Sequence, residues 1–262
     1  MYRVNDFCTF LESFAPLQLA EDWDNVGLLI GDRDASAGAV MSCLTITPAT
    51  VDEAVSKGAD LIVTHHPMPF RATKRITRDT TVGRILIDLI RNGISVYSPH
   101  TAFDSASLGI NQQIAEKLGC RSIAPLQPIS DDETVGTGRM GTLDAEVSLT
   151  AFAERVKESF AINHVQLVGD ADRRIKRVGV ACGSAGQFLD DAARANCDAF
   201  VTGETSFHTC LEAESVNVAL VLTGHYASER FALEDLAQRL QNEFDQAKVW
   251  ASLSEKSPLR LV

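Results

Sequence analysis

Gly58-Ala59-Asp60-Leu61-Ile62-Val63-Thr64-His65-His66-Pro67 is the stretch that decides the fold. An unbroken run of strand-forming residues between a glycine and a proline reads as a short strand buried on both faces. The pattern returns at Asn196-Cys197-Asp198-Ala199-Phe200-Val201-Thr202-Gly203-Glu204. A second matched pair follows: Ile94-Ser95-Val96-Tyr97-Ser98-Pro99-His100-Thr101-Ala102-Phe103-Asp104 and Val218-Ala219-Leu220-Val221-Leu222-Thr223-Gly224-His225-Tyr226-Ala227-Ser228-Glu229. Each leaves a strand and ends in His-x-x-x-acid. Two copies in the same order point to a duplicated α/β unit.

Outward from these stretches, further apolar runs at 40–45 and 178–182 and a strand at 164–168 alternate with helix-period segments at 48–57, 81–91, 109–118, 150–160, 187–195 and 228–241. Phe7, Phe10, Leu11 and Phe14 place an amphipathic helix at the start, stopped near Pro16. The alternation predicts α/β architecture with mainly parallel sheets. A polar segment with three glycines, from Asp131 to Gly141, falls near mid-chain and is the expected boundary between an N-terminal lobe, 1–127, and a C-terminal lobe, 128–262.

The chain has 262 residues, 45% hydrophobic and 23% charged, with mean hydropathy near zero, which describes an ordinary globular composition. A net charge of −11 and a pI near 5.0 give no field that would draw it generically to nucleic acid or an anionic membrane. No apolar run approaches the ~18–20 residues a membrane helix needs. Asp6 and Glu12 interrupt the stretch where a signal peptide would be apolar. Six scattered cysteines without a Cys-x-x-Cys pair fit a reducing compartment, so the expected place is the cytoplasm.

His65, His66, His100, Asp104, His225 and Glu229 all follow predicted strand ends, where open α/β sheets place their ligand crevices. A spacing of four puts imidazole and carboxylate on one helical face. Neighbouring His65 and His66 point apart in extended backbone, which suits two metals more easily than one. Six nitrogen and oxygen donors without thiolate favour zinc, iron, manganese or cobalt. Each feature also has a plainer reading. A His-x-x-x-Glu pair is commonly a solvated surface pair. Glu204 is either a base or imidazole partner, or a helix N-terminal acid. His208 either donates a proton in the pocket or makes a helix-terminal hydrogen bond. The Gly183-Ser184-Ala185-Gly186 turn either cradles phosphate or simply turns, and Arg71, Lys74 and Arg75 are either a phosphate-attracting loop or a solvated face.

Trp23-Asp24-Asn25-Val26-Gly27-Leu28, Thr64-His65-His66-Pro67, His100-Thr101-Ala102-Phe103-Asp104, Gly136-Thr137-Gly138-Arg139-Met140-Gly141, Thr202-Gly203-Glu204 and Gly224-His225-Tyr226-Ala227-Ser228-Glu229-Arg230 occur in that order. In these motifs the chain resembles the Nif-three-like dinuclear-metal family, many of whose members are labelled GTP cyclohydrolase I type 2 homologue. The resemblance implies two related α/β lobes with a dinuclear metal site in the cleft between them, in a ring-shaped homohexamer. It also implies that the six residues named above ligate two divalent ions, zinc or iron. One position departs: where relatives often carry aspartate after Cys-Leu, this chain has Cys43-Leu44-Thr45.

Two functions of different class follow. The first is a metal-dependent hydrolase of a small-molecule substrate, a GTP-like or other nucleotide or phosphorylated compound, with Glu204 and His208 moving protons. On GTP, water would add at C8 and the ring would open with loss of formate. The second is a non-catalytic metal-binding scaffold or regulator that acts through protein partners.

Overall fold

The strand Leu61–Thr64 is buried at all four positions, as its unbroken apolar run requires. In this computed structural model, which describes residues 1–129 and 134–260, it is the middle strand of a five-stranded sheet. The order is Gly27–Ile30, Ser95–Ser98, Leu61–Thr64, Ala39–Cys43, Lys248–Ala251, and only Gly27–Ile30 runs antiparallel. Helices Pro48–Lys57 and Thr81–Arg91 cover one face through Val51, Ala54, Ile85 and Leu89, which pack on Met41, Ile62 and Val96. Thr47 and Thr80 cap these helices, each accepting from the backbone N–H three residues on. The opposite face takes Ser42, whose hydroxyl donates to Leu233 O, and Tyr2, Phe7 and Phe10 each set a ring against Phe244 in an aromatic cluster of the same unit. Residues Met1–Ala102 and Ala232–Val262 form this first unit.

The second unit is Phe103–Phe231. Its six-stranded sheet runs Arg121–Ala124, Arg139–Ser148, Arg174–Ser184, Ala199–Glu204, Ala219–Leu222, Gln166–Val168. The two pairings among Arg174–Ser184, Ala199–Glu204 and Ala219–Leu222 are parallel, and the other three are antiparallel. Helices Leu189–Arg194 and Phe207–Ser215 pack on one face around Leu189, Ala192, Phe200, Ala213 and Leu220. The fold is mixed α/β.

Two expectations change. "Mainly parallel" describes the first sheet, whereas the second is more antiparallel than parallel, because three strands that are largely exposed or alternate in burial complete it. The lobes are not divided at 127/128: Arg121–Ala124 pairs within the second sheet and Lys248–Ala251 within the first. Residues 131–133 of the expected boundary lie outside the described residues, and most of the rest of that segment is strand. Arg139 explains why polar sequence there is buried. Its guanidinium is fully enclosed and donates to Gly136 O, Gly138 O, Ser105 O, Ala106 O and Gln112 Oε1. Burial lowers its pKa to about 10, so it stays charged at neutral pH.

The two matched stretches share local contacts. Asp60 Oδ2 accepts from Gly38 N and Ala39 N at 2.8 and 2.9 Å, and Asp198 Oδ2 accepts from Lys176 N and Arg177 N at 2.9 and 2.7 Å. The turns into the strands also match, with Gly58 and Asn196 at φ 66° and 54°, and Gly93 and Asn217 at 66° and 57°. Glycine and asparagine are the residues that enter the left-handed region at least cost.

Candidate metal centre

In the first unit, Pro67 ends the central strand just after His65 and His66, and Pro99 places His100 at the end of its neighbour. One nitrogen of each of the three imidazoles lies within 4.8 Å of the others, and the ring centroids are 5.0–5.6 Å apart. His65 is fully buried and His100 nearly so. The backbone fixes the pair: His65 N donates to Cys43 O, His66 N donates to Leu44 O, and Ser98 Oγ donates to His65 O at 2.6 Å.

Asp24 orients His100. Its Oδ1 lies 2.8 Å from His100 Nδ1, and its Oδ2 accepts from Thr101 N and Oγ1. Burial by itself would raise the Asp24 pKa, but the hydrogen bonds from His100 and Thr101 outweigh it and bring the carboxyl down to about 2. An ionised carboxylate only accepts, so His100 donates from Nδ1, which leaves Nε2 as the ring nitrogen turned away from Asp24. His100 takes φ 26°, a backbone region costing roughly 1–3 kcal/mol for a residue with Cβ, and the Asp24 bonds hold it there. Thr45 does the equivalent for His66, its Oγ1 lying 2.7 Å from Nδ1. Thr45, where the sequence resemblance leads one to expect aspartate, thus presents a hydroxyl that meets the ring. Trp23 and Phe70 stand edge-on to His100 with centroids 5.9 and 6.0 Å away, yet are 63% and 52% exposed.

In the second unit, His225 Nδ1 lies 3.0 Å from Glu204 Oε1, and Nε2 lies 3.0 Å from the buried Glu229 Oε2. Glu229 chiefly, with help from Glu204, raises the His225 pKa to about 9 against the opposing effect of burial. A cation would compete with that proton for the same lone pairs. Cys182 Sγ donates to Asp104 Oδ1 at 3.2 Å. Gly183, at φ 65°, leaves the space that a Cβ would take 2.3 Å from Glu229 Oε1. The glycine-bearing turn thus makes room for the carboxylate of the pair.

Of the eight residues singled out from sequence, the structure groups His65, His66 and His100 in one unit, and pairs His225 with Glu204 and Glu229 in the other. Asp104 meets Cys182. His208 is exposed on helix Phe207–Ser215, with a ring contact to Phe207. Arg71, Lys74 and Arg75 lie on a fully exposed stretch. Sequence reasoning gave no role to Asp24, Cys182 or Ser98. Asp24 alone had a usable signal, its place in the Trp23-Asp24-Asn25 motif.

The family profile described as Duf34/NIF3 (NGG1p interacting factor 3) matches residues 2–258. A Clostridium acetobutylicum protein named GTP cyclohydrolase 1 type 2 homolog is 37% identical over 240 residues, covering 91% of this chain and 90% of its own. A Drosophila melanogaster NIF3-like protein 1 is 34% identical over 256 residues, covering 95% and 86%. The crystal structure of a Bacillus cereus protein related to NIF3 superposes with a TM-score of 0.93 at 23% identity, covering 100% of this chain and 99% of its own.

Proposed function

The chain belongs to the Duf34/NIF3 family, and from that premise we propose that it is a dinuclear divalent-metal protein working as a metal-dependent hydrolase. Its substrate in this reading is a GTP-like or other nucleotide or phosphorylated small molecule. The observation that carries the proposal is the convergence of three imidazoles at adjoining strand ends, two with Nδ1 already engaged. Such a donor set fits zinc or iron, with manganese as a further candidate.

His65, His66, His100, Asp104, His225 and Glu229 would hold the two ions. When bound, they supply Lewis acidity and ionise water near neutral pH. The protein's own residues position and protonate. Asp24 and Thr45 keep His100 and His66 turned with Nε2 available. Trp23 and Phe70 offer exposed rings to a planar base, and Arg71, Lys74 and Arg75 offer positive charge to a phosphate in an otherwise acidic protein. Glu204 holds a proton at His225 Nδ1, and His208 is the second candidate for proton transfer. The ring-shaped homohexamer and the cytoplasmic location belong to the same reading.

A second reading, the non-catalytic scaffold, draws support from the family's own description as an interacting factor. One experiment separates them: metal analysis of purified protein combined with a nucleotide and phosphoester screen. The proposal expects about two divalent ions per chain, fewer in His100→Ala, and formate release from GTP, or hydrolysis of another nucleotide, lost in His225→Ala. Full metal with background rates throughout would select the scaffold. Unchanged metal content in His100→Ala would contradict the centre itself.

A further inference from the structure

After the strand Lys248–Ala251 the chain continues without helix or strand through residues 252–260, and carboxylates hold it. Glu53, whose side chain is 7% exposed, accepts from Trp250 Nε1, Ser252 Oγ, Leu253 N and Ser254 N at 2.7–3.1 Å. One residue further on, the direction reverses. Glu255 reaches from the tail to the body, its Oε2 accepting from Leu44 N at 2.9 Å and its Oε1 from Thr45 N at 2.7 Å.

The location gives this contact its meaning. The parallel pairing of Ala39–Cys43 with Lys248–Ala251 ends at Ser42 and Ala251, so Leu44 N and Thr45 N extend past the ladder. Buried or half-buried backbone donors there need an acceptor, and a carboxylate taking two of them is a strong one. The carbonyls of the same segment receive His65 N and His66 N, and the Thr45 hydroxyl meets His66 Nδ1. Residues 43–45 are therefore gripped from one side by the tail, while on the other they fix the two histidines.

We propose that Glu255 is a positioning residue: through Leu44 and Thr45 it sets the orientation of His66, so that the C-terminal tail acts as a strap on the ligand set. The effect on metal rests on the metal-centre reading, whereas the effect on the His66 ring does not. Glu255→Ala frees the two amides and lets Thr45 drift from Nδ1. Glu255→Gln keeps one good acceptor and gives an intermediate result. Lys256→Ala changes a neighbouring tail residue and leaves the strap intact.

The test uses the full chain in three measurements: imidazole ¹⁵N spectra of the metal-free protein, hydrogen exchange at Leu44 and Thr45, and zinc affinity by chelator competition with the visible cobalt(II) spectrum as a geometry probe. In Glu255→Ala we expect a shifted His66 ring spectrum, faster exchange at both amides, and zinc affinity roughly 10-fold weaker with an altered cobalt band. Glu255→Gln should lie between, and Lys256→Ala should match the parent. A parent that binds neither ion overturns the metal reading, and the strap is then judged on the ring spectrum and exchange. If Glu255→Ala only lowers the melting temperature, with the His66 spectrum and the two amides unchanged, the positioning role is overturned.

Discussion

Thr45 is a small residue with a disproportionate task. Its hydroxyl is the partner of His66 Nδ1, as Asp24 is of His100 Nδ1 and Glu204 of His225 Nδ1. Partners behind metal-ligating histidines fix the ring and raise its basicity, and losing one costs ~10–100-fold in affinity. Thr45→Ala should accordingly weaken zinc binding within that range. Thr45→Asp should bind at least as tightly as the parent, since a carboxylate is the stronger acceptor. Titration against a competing chelator decides it, and an alanine variant equal to the parent would contradict the role. At this scale the sequence pointed to the candidate donors, because imidazole and carboxylate after strand ends stand out. It hid their supports. Ser98 and Cys182 have ordinary side chains whose importance comes from which distant residue they face, and spacing along the chain carries no such information.

Among the elements, the helix Pro48–Lys57 shows how one buried acid ties local structure to the chain's far end. Burial alone would raise the pKa of Glu53, but Lys57 first, then Ser252, Ser254 and Leu253, hold it well below the usual carboxylate range. With the folded-state pKa depressed, the unfolded chain binds the proton more readily. The stabilisation is complete above the ordinary glutamate value of ~4.3 and is lost as pH falls through the folded-state value. Glu53→Gln should cost about 2 kcal/mol at pH 7. Its deficit should shrink on acidification, because the parent loses what the variant never had. Thermal melts of both proteins at pH 7 and pH 3 read this directly, and a constant gap would contradict it. Helices Pro48–Lys57 and Thr81–Arg91 and the strand Leu61–Thr64 form over the expected residues, since caps, period and apolar runs agree there. Arg139–Ser148 and Lys248–Ala251 were missed because their residues are partly exposed and neither forms an unbroken apolar run of strand length. What makes them strands is the neighbour each pairs with, Arg174–Ser184 and Arg121–Ala124 for the first and Ala39–Cys43 for the second.

For the whole molecule, the two short sequence matches that suggested a duplication fall on strands where Asp60 and Asp198 bind the neighbouring strand's amides alike. The lobe boundary was not legible, because each unit borrows chain from beyond the apparent midpoint: Lys248–Ala251 returns to the first sheet and Arg121–Ala124 joins the second. The donors of the proposed centre are His65, His66, His100, Asp104, His225 and Glu229. The most direct test is a crystal of the protein loaded with zinc, with anomalous difference maps collected at the zinc edge. The account predicts two peaks per chain, about 3.5–4 Å apart, enclosed by those six side chains. Zinc-edge peaks elsewhere, or none at these residues, would contradict it.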